Sequence, residues 1–216
     1  MPLDYDNMLD SLPLFAKAAL TTLKISSAGI VFALVIGLAC AFLLYLRTPY
    51  VGRPVRAYIE LSRNTPLLVQ LFLLHFGLKV DALPCSIMAL AFLGGGYMAE
   101  AFRGGLEAVE KAQIESAMSL GLSRWQMLWF VILPQALIVA VPALGANVIF
   151  LLKETSVVSV VAVTDIVAVA KDLISLYYET TEALIMLVLV YLVLLLPVCL
   201  AIKYLERRVR HATFGN

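Results

Sequence analysis

The sequence predicts an all-α integral membrane protein with five transmembrane helices, its N-terminus outside and its C-terminus cytoplasmic. Three observations lead there. First, 62% of the 216 residues are hydrophobic and only 14% are charged, more apolar surface than one soluble core of this length can bury. Second, uncharged windows at 25–46, 82–99, 125–152 and 183–202 each reach the roughly 18 residues that a helix needs to cross a hydrocarbon layer about 30 Å thick. Third, the basic residues fall in alternate connecting segments. Arg47, Arg53, Arg56 and Arg63 occupy the first loop, Arg103, Lys111 and Arg124 the third, and Lys203, Arg207, Arg208 and Arg210 the tail, against only Lys17, Lys24, Lys79, Lys153 and Lys171 elsewhere. Positively charged loops stay in the cytoplasm, so Asp4, Asp6 and Asp10 lie outside.

Residues 1–18 are expected to form a lead-in at the outer face, with Pro13 breaking any long helix and Lys17 and Lys24 marking the interface. Its acidic start and the full-length first window predict no cleavable signal peptide. Within the first span Gly29, Ala33, Gly37 and Ala41 recur every fourth residue, a stripe of small side chains that lets another helix approach closely.

The second apolar run, 67–78, is too short to cross by itself. It spans if its helix begins upstream, around 56–62, with Arg63 snorkelling to the interface. Arg63-Asn64-Thr65-Pro66 also reads as a turn and helix start, because proline disfavours helix just before itself and suits the first turn.

After the third span comes a long loop, 100–124. Here Glu115 stands near the start of a short helix that Gly121 can end in the left-handed conformation. Ser116, Ala117 and Ser119 keep one surface of that helix narrow, and Leu120 and Leu122 offer apolar knobs. Such a helix fits a groove on another protein; the alternative is a plain connecting loop that contains a helix.

The fourth span carries Pro134 and Pro142 and ends at Lys153-Glu154-Thr155-Ser156. Charge beside a long apolar window costs about 2.5–3.5 kcal/mol at a helix centre. Either Lys153 and Glu154 form an interfacial pair in water, or Glu154, with Asn147, Thr155 and Ser156, lines a polar path. The apolar runs 157–163 and 166–170 flank Thr164-Asp165. An open strand there would strand its backbone groups in lipid, so a short helix or a protein-buried gate element near the outer face is expected, the alternative being a soluble outer lid that packs on itself.

No catalytic centre or metal site is indicated. The two histidines, His75 and His211, stand far apart in the sequence, His75 as a helix-packing or interfacial residue rather than a ligand, and Cys40, Cys85 and Cys199 have neither metal nor disulfide spacing. Gly94-Gly95-Gly96 runs into Tyr97 and Met98 rather than into the lysine of a phosphate-binding loop. Energy for uphill transport would therefore enter through a partner chain.

Glu115-Ser116-Ala117 with Gly121 and Val131-Ile132-Leu133-Pro134 resembles the EAA loop of ABC importer membrane subunits: Glu-Ala-Ala, three residues, Gly, nine residues, Ile-x-Leu-Pro. Ser116 and Val131 are the departures. Three further patches resemble the polar amino acid subgroup: Glu60 through Leu78, containing Arg63-Asn64-Thr65-Pro66 and on to Phe72, Tyr97-Met98-Ala99-Glu100 with Arg103-Gly104-Gly105, and Pro142 through Asn147 to Lys153-Glu154-Thr155-Ser156, where the subgroup more often has Asp than Glu.

The resemblance implies an ABC type-1 transmembrane domain over 19–207, with its EAA loop at 113–134 and a cytoplasmic tail at 208–216. It implies a permease subunit in the bacterial plasma (inner) membrane that imports a polar amino acid by alternating access. The expected partners are a cytoplasmic ABC ATPase dimer that binds ATP and Mg, a second permease subunit and an external solute-binding protein. No cofactor belongs to this chain and no nucleic acid is involved. Glu115, Ser116, Ala117, Leu120, Gly121 and Leu122 would dock on the ATPase, and Asn147, Glu154, Thr155 and Ser156 would line the solute path. The rivals are an ATP-independent carrier or channel, and an intramembrane enzyme, for which the sequence supplies no nucleophile and base at helical register.

Overall fold

A computed structural model describes residues 5–46 and 50–214. Asp4 and Arg47 lie outside these residues, as do the side chains of Arg210 and His211. The elements are helical throughout the described residues: α1 Tyr5–Tyr45, α2 Gly52–Asn64, α3 Leu67–Phe72 running into a π turn Leu73–Gly77, α4 Ala82–Glu107, α5 Lys111–Ser119, α6 Arg124–Met127, a second π turn Leu128–Ile132, α7 Leu133–Glu154, a 3₁₀ segment Thr155–Val161, α8 Ile166–Tyr177 and α9 Thr180–Phe214.

Among the described residues four stretches are long and apolar enough to cross a bilayer, rather than the five expected: Tyr5–Tyr45, Ala82–Glu107, Arg124–Val161 and Thr180–Val209. The single helix expected over the second apolar run is instead two. Thr65 cannot be helical ahead of Pro66, whose extended backbone (φ −58°, ψ 140°) starts α3 afresh. Leu67–Gly77 rises only about 16 Å. The π turn then closes on Leu73 and Leu74, and His75 Nδ1 lies 2.8 Å from the Val80 carbonyl.

The N-terminal lead-in also departs from expectation, since Pro13 sits inside α1 rather than ending it. Proline within a helix costs roughly 3 kcal/mol. Phe15 and Ala18, two and five residues on, are fully buried against Ile166, Val169, Ala170 and Leu173 of α8. Burial of a phenylalanine alone is worth on the order of 2–3 kcal/mol, so tertiary packing carries the helix through the proline.

The chain forms two compact units. The first comprises Met1–Val31, Thr65–Phe92 and Ile149–Cys199. Its core joins Phe15 and Ala18 to α8 and to Ala183 and Met186 of α9. In the 3₁₀ segment Thr155, Val158 and Val161 are fully buried, the three-residue spacing that a 3₁₀ turn places on one face. The helical form expected of this apolar run is therefore present. Asp165 caps α8, its Oδ1 accepting from the Ala168 N–H at 2.9 Å.

The second unit comprises Phe32–Asn64, Leu93–Val148 and Leu200–Asn216. In each unit the small stripe of α1 meets α4. A Cβ on Gly29 would stand 2.8 Å from the Leu90 Cβ, and one on Gly37 would stand 2.8 Å from the Ala99 nitrogen. Gly95 and Gly96 serve the same purpose for α2. Side chains there would strike Tyr58, Ile36 and Ser62, which gives the glycine run a packing role. The π turn at 128–132 widens the helix just ahead of Pro134, where the missing N–H and the ring would otherwise disturb a regular turn. Cys40 and Cys85 are buried among apolar neighbours and Cys199 is half-buried.

Candidate coupling helix and charged cavity

The C-terminal end of α5, and the turn that follows it, are set by local sequence. At its C-terminus Gly121 adopts φ +76°, its N–H donates to the Met118 carbonyl at 2.9 Å, and the Leu122 N–H reaches back to the Ala117 carbonyl at 3.2 Å. This pair of bonds is a Schellman motif, which glycine permits at little steric cost. Two residues later Ser123 starts α6 with a capping box. Its Oγ accepts from the Gln126 N–H at 3.3 Å, and the Gln126 Oε1 accepts from the Ser123 N–H at 2.9 Å. The turn between α5 and α6 is thus specified residue by residue.

Glu115 lies at the middle of α5 rather than near its start, which is at Lys111. Ala117 turns inward, 3% exposed, onto Val109, Met127, Leu128, Ile132 and Ala136. Leu122 packs onto the same cluster, so it is an anchor and not the outward knob expected. The outward surface carries Glu115, Ser116, Ser119 and Gly121. Its apolar knobs are Leu120, 81% exposed, and Met118, 57% exposed. Met118 escaped the sequence reading because its burial depends on which face of α5 meets the cluster.

Beside α5 the second unit holds a cavity of ≈ 1180 Å³, with Arg56, Glu60, Arg63, Glu100, Arg103 and Arg124 among its lining. Arg103 is held twice within α4. Its Nη2 and Nε donate to Glu100 at 2.6 and 3.2 Å, and its Nη1 donates to both oxygens of Glu107 at 2.7 Å. Arg63 reaches Glu100 at 3.8 Å and lies 5.3 Å from the centre of the Tyr97 ring. The Tyr97 carbonyl accepts from Asn147 Nδ2 at 3.0 Å. The i, i+3 and i+4 spacing of Glu100, Arg103 and Glu107 was the sequence signal for this cluster.

The expected path residues divide between the units. Asn147, in the second, is engaged with Tyr97 as above. In the first, Glu154 and Ser156 are half-buried, whereas Thr155 is fully buried and donates to the Leu152 carbonyl at 2.6 Å.

A multi-pass helical membrane chain that presents a short, small-faced helix between its second and third long apolar stretches has the architecture of a membrane permease. The chain belongs to the binding-protein-dependent transport system inner membrane component family, whose model matches residues 29–211. It is 33% identical over 199 residues to the probable amino-acid ABC transporter permease protein PatM of Vibrio harveyi, covering 88% of this chain and 89% of that one. It is 30% identical over 217 residues to the glutamine transport system permease protein GlnP of Escherichia coli K12, covering 97% and 99%. A solved structure described as an amino acid ABC transporter with histidines superposes with a TM-score of 0.88 at 33% identity, over 96% of this chain and 100% of that one. The inward-facing MetNI methionine ABC transporter shares the fold, with a TM-score of 0.80 at 22% identity over 93% and 98%. The chain is an ABC importer permease subunit.

Proposed function

We propose that this permease moves a polar amino acid or a related small polar solute into the cytoplasm across the bacterial inner membrane. It works as one of two permease subunits with an ATPase dimer that binds ATP and Mg and with an external solute-binding protein. The names of PatM and GlnP support an amino acid as the solute. The second crossing is made by the broken α2–α3 segment, since interrupted helices are tolerated at membrane depth where protein covers the freed backbone groups. Five crossings put the N-terminus outside and the C-terminus inside, in line with the basic loops. The type-1 domain occupies 19–207 and the cytoplasmic tail 208–216.

The carrying observation is α5. It is closed at its C-terminus by the Gly121 turn and anchored by Ala117 and Leu122, with Met118 and Leu120 left outward. A short rigid helix with exposed apolar knobs transmits a push if a groove on the ATPase receives it. ATP-driven closure of the ATPase pair then moves α5 inward and switches the permease halves between inward- and outward-facing states. Glu115, Ser116, Gly121 and Leu120 contact the groove, and Ala117 and Leu122 hold the helix to its own subunit. Glu154 and Ser156, with Asn147, serve the solute path, and Thr155 supports that segment from within.

Reconstitution with the ATPase and binding protein tests the reading. One polar amino acid should stimulate ATP hydrolysis and accumulate in vesicles. Solute uptake by this chain without any ATPase would establish the carrier instead.

A further inference from the structure

The charged cavity adjoins a second, shallow groove in the same unit, and the two share Ala41, Tyr45, Leu106 and Leu128. The groove is small, ≈ 30 Å³, and is lined by Leu38, Phe42, Phe102, Leu133 and Leu137 together with Tyr45, with an apolar surface throughout. Leu38 and Leu137 are about half exposed at its edge, so the groove opens onto an exposed apolar surface. The cavity at its end is of opposite character. Four arginines line it against three glutamates. Arg103 is satisfied by Glu100 and Glu107 and Arg63 shares Glu100. Arg56 and Arg124 form no ion pair among the described residues. Trp125, 61% exposed, stands in the cavity wall and stacks on Phe42 of the groove at 6.5 Å.

We propose that this pair of sites binds an anionic phospholipid, its phosphate-bearing headgroup held by Arg56 and Arg124 in the cavity and one acyl chain laid along the groove. A cationic recess joined without interruption to an apolar strip matches a molecule with an anion at one end and hydrocarbon at the other. Tyr45 and Trp125 at the junction are the residue types that prefer the headgroup level. A free phosphate would use the arginines and leave the groove idle. The placement in the inner leaflet rests on the orientation proposed above; the pairing of cavity and groove does not.

The two tryptophans of the chain are Trp125 and Trp129, so Trp129→Phe leaves a single reporter inside the site. The full chain carrying this substitution is titrated in mixed micelles with brominated phosphatidylglycerol or brominated phosphatidylcholine, and Trp125 emission is followed. Phosphatidylglycerol should quench at a markedly lower mole fraction, and an excess of inorganic phosphate should leave that preference standing. Each of Arg56→Gln and Arg124→Gln should cut the preference roughly fivefold, the effect of one basic residue near an anionic surface. Arg56→Lys with Arg124→Lys should retain it. Arg207→Gln with Arg208→Gln, at the end of α9, should leave it unchanged, separating a defined site from general surface charge. Equal quenching by the two lipids, loss of the preference with the α9 pair, or displacement by phosphate would overturn the proposal. An inverted orientation in cells would refute the leaflet assignment while leaving the quenching preference intact.

Discussion

Gly121→Ala is the sharpest test of how α5 is built. The residue has φ +76°, and a Cβ added there would meet nothing within 4 Å. Steric contact with neighbours is therefore removed from the problem. What remains is the backbone cost of holding an L-residue in the left-handed region, about 1–2 kcal/mol. If the chain relaxes instead, the Schellman bonds from Gly121 and Leu122 are lost at about 0.5–1.5 kcal/mol each. Either route loosens the α5–α6 turn by a similar amount, which corresponds to roughly a 5- to 30-fold fall in the population of the ordered turn relative to a frayed one. Gly104→Ala is the matched control. It also meets nothing within 4 Å but lies within the α-helix α4 without a positive φ, so alanine should be neutral or stabilise by up to about 1 kcal/mol. Thermal unfolding of the purified chain and solute-stimulated ATP hydrolysis by the reconstituted complex are measured for both. Gly121→Ala should lower the melting temperature and weaken stimulation while the chain still inserts. Identical melting and coupling for Gly121→Ala and Gly104→Ala would refute the claim that a left-handed cap fixes this helix.

Three further outcomes are expected. With the native cysteines replaced, single cysteines at Asn7 and Ser175 should react with an impermeant thiol reagent added outside intact cells, and one at Ala112 should not; outside labelling at 112 would invert the orientation. Glu154→Gln should weaken apparent solute affinity by about 10- to 150-fold if its carboxylate meets a solute amino group, the range of about 1.5–3 kcal/mol for a charge-assisted hydrogen bond, with basal ATP hydrolysis retained. Unchanged uptake at limiting solute would return Glu154 to an interfacial role. Burial raises the Asp165 carboxyl above the usual range, opposed by the Ala168 N–H it accepts from. The folded state thus holds the proton more tightly than the unfolded state. Its contribution to stability is full below the unfolded value of about 3.9 and is lost as pH rises through the folded value. Melting temperature should fall over that interval in the native chain and less so in Asp165→Asn; equal slopes would remove the assignment.

The amino-acid sequence determined the solvent, the class and the local punctuation of this protein, because each of these depends on residues close together in the chain. Lipid as solvent followed from uninterrupted apolar windows. The positive-φ glycine at 121 and the small stripe from Gly29 to Ala41 were legible because backbone sterics and side-chain size act within a few residues, and so was the turn at Pro66, though not that it divides the second run into two helices. The tertiary structure decided the matters where distant segments compete. Pro13 reads as a helix breaker until Phe15 and Ala18 find α8, more than 140 residues away. Leu122 reads as a knob until the cluster around Met127 and Ile132 draws it inward and leaves Met118 and Leu120 outside. Gly95 and Gly96 carry no local meaning until Tyr58 and Ser62 of α2 arrive against them. In each case the deciding energy is burial against a partner remote in sequence, a quantity that no window along the chain contains.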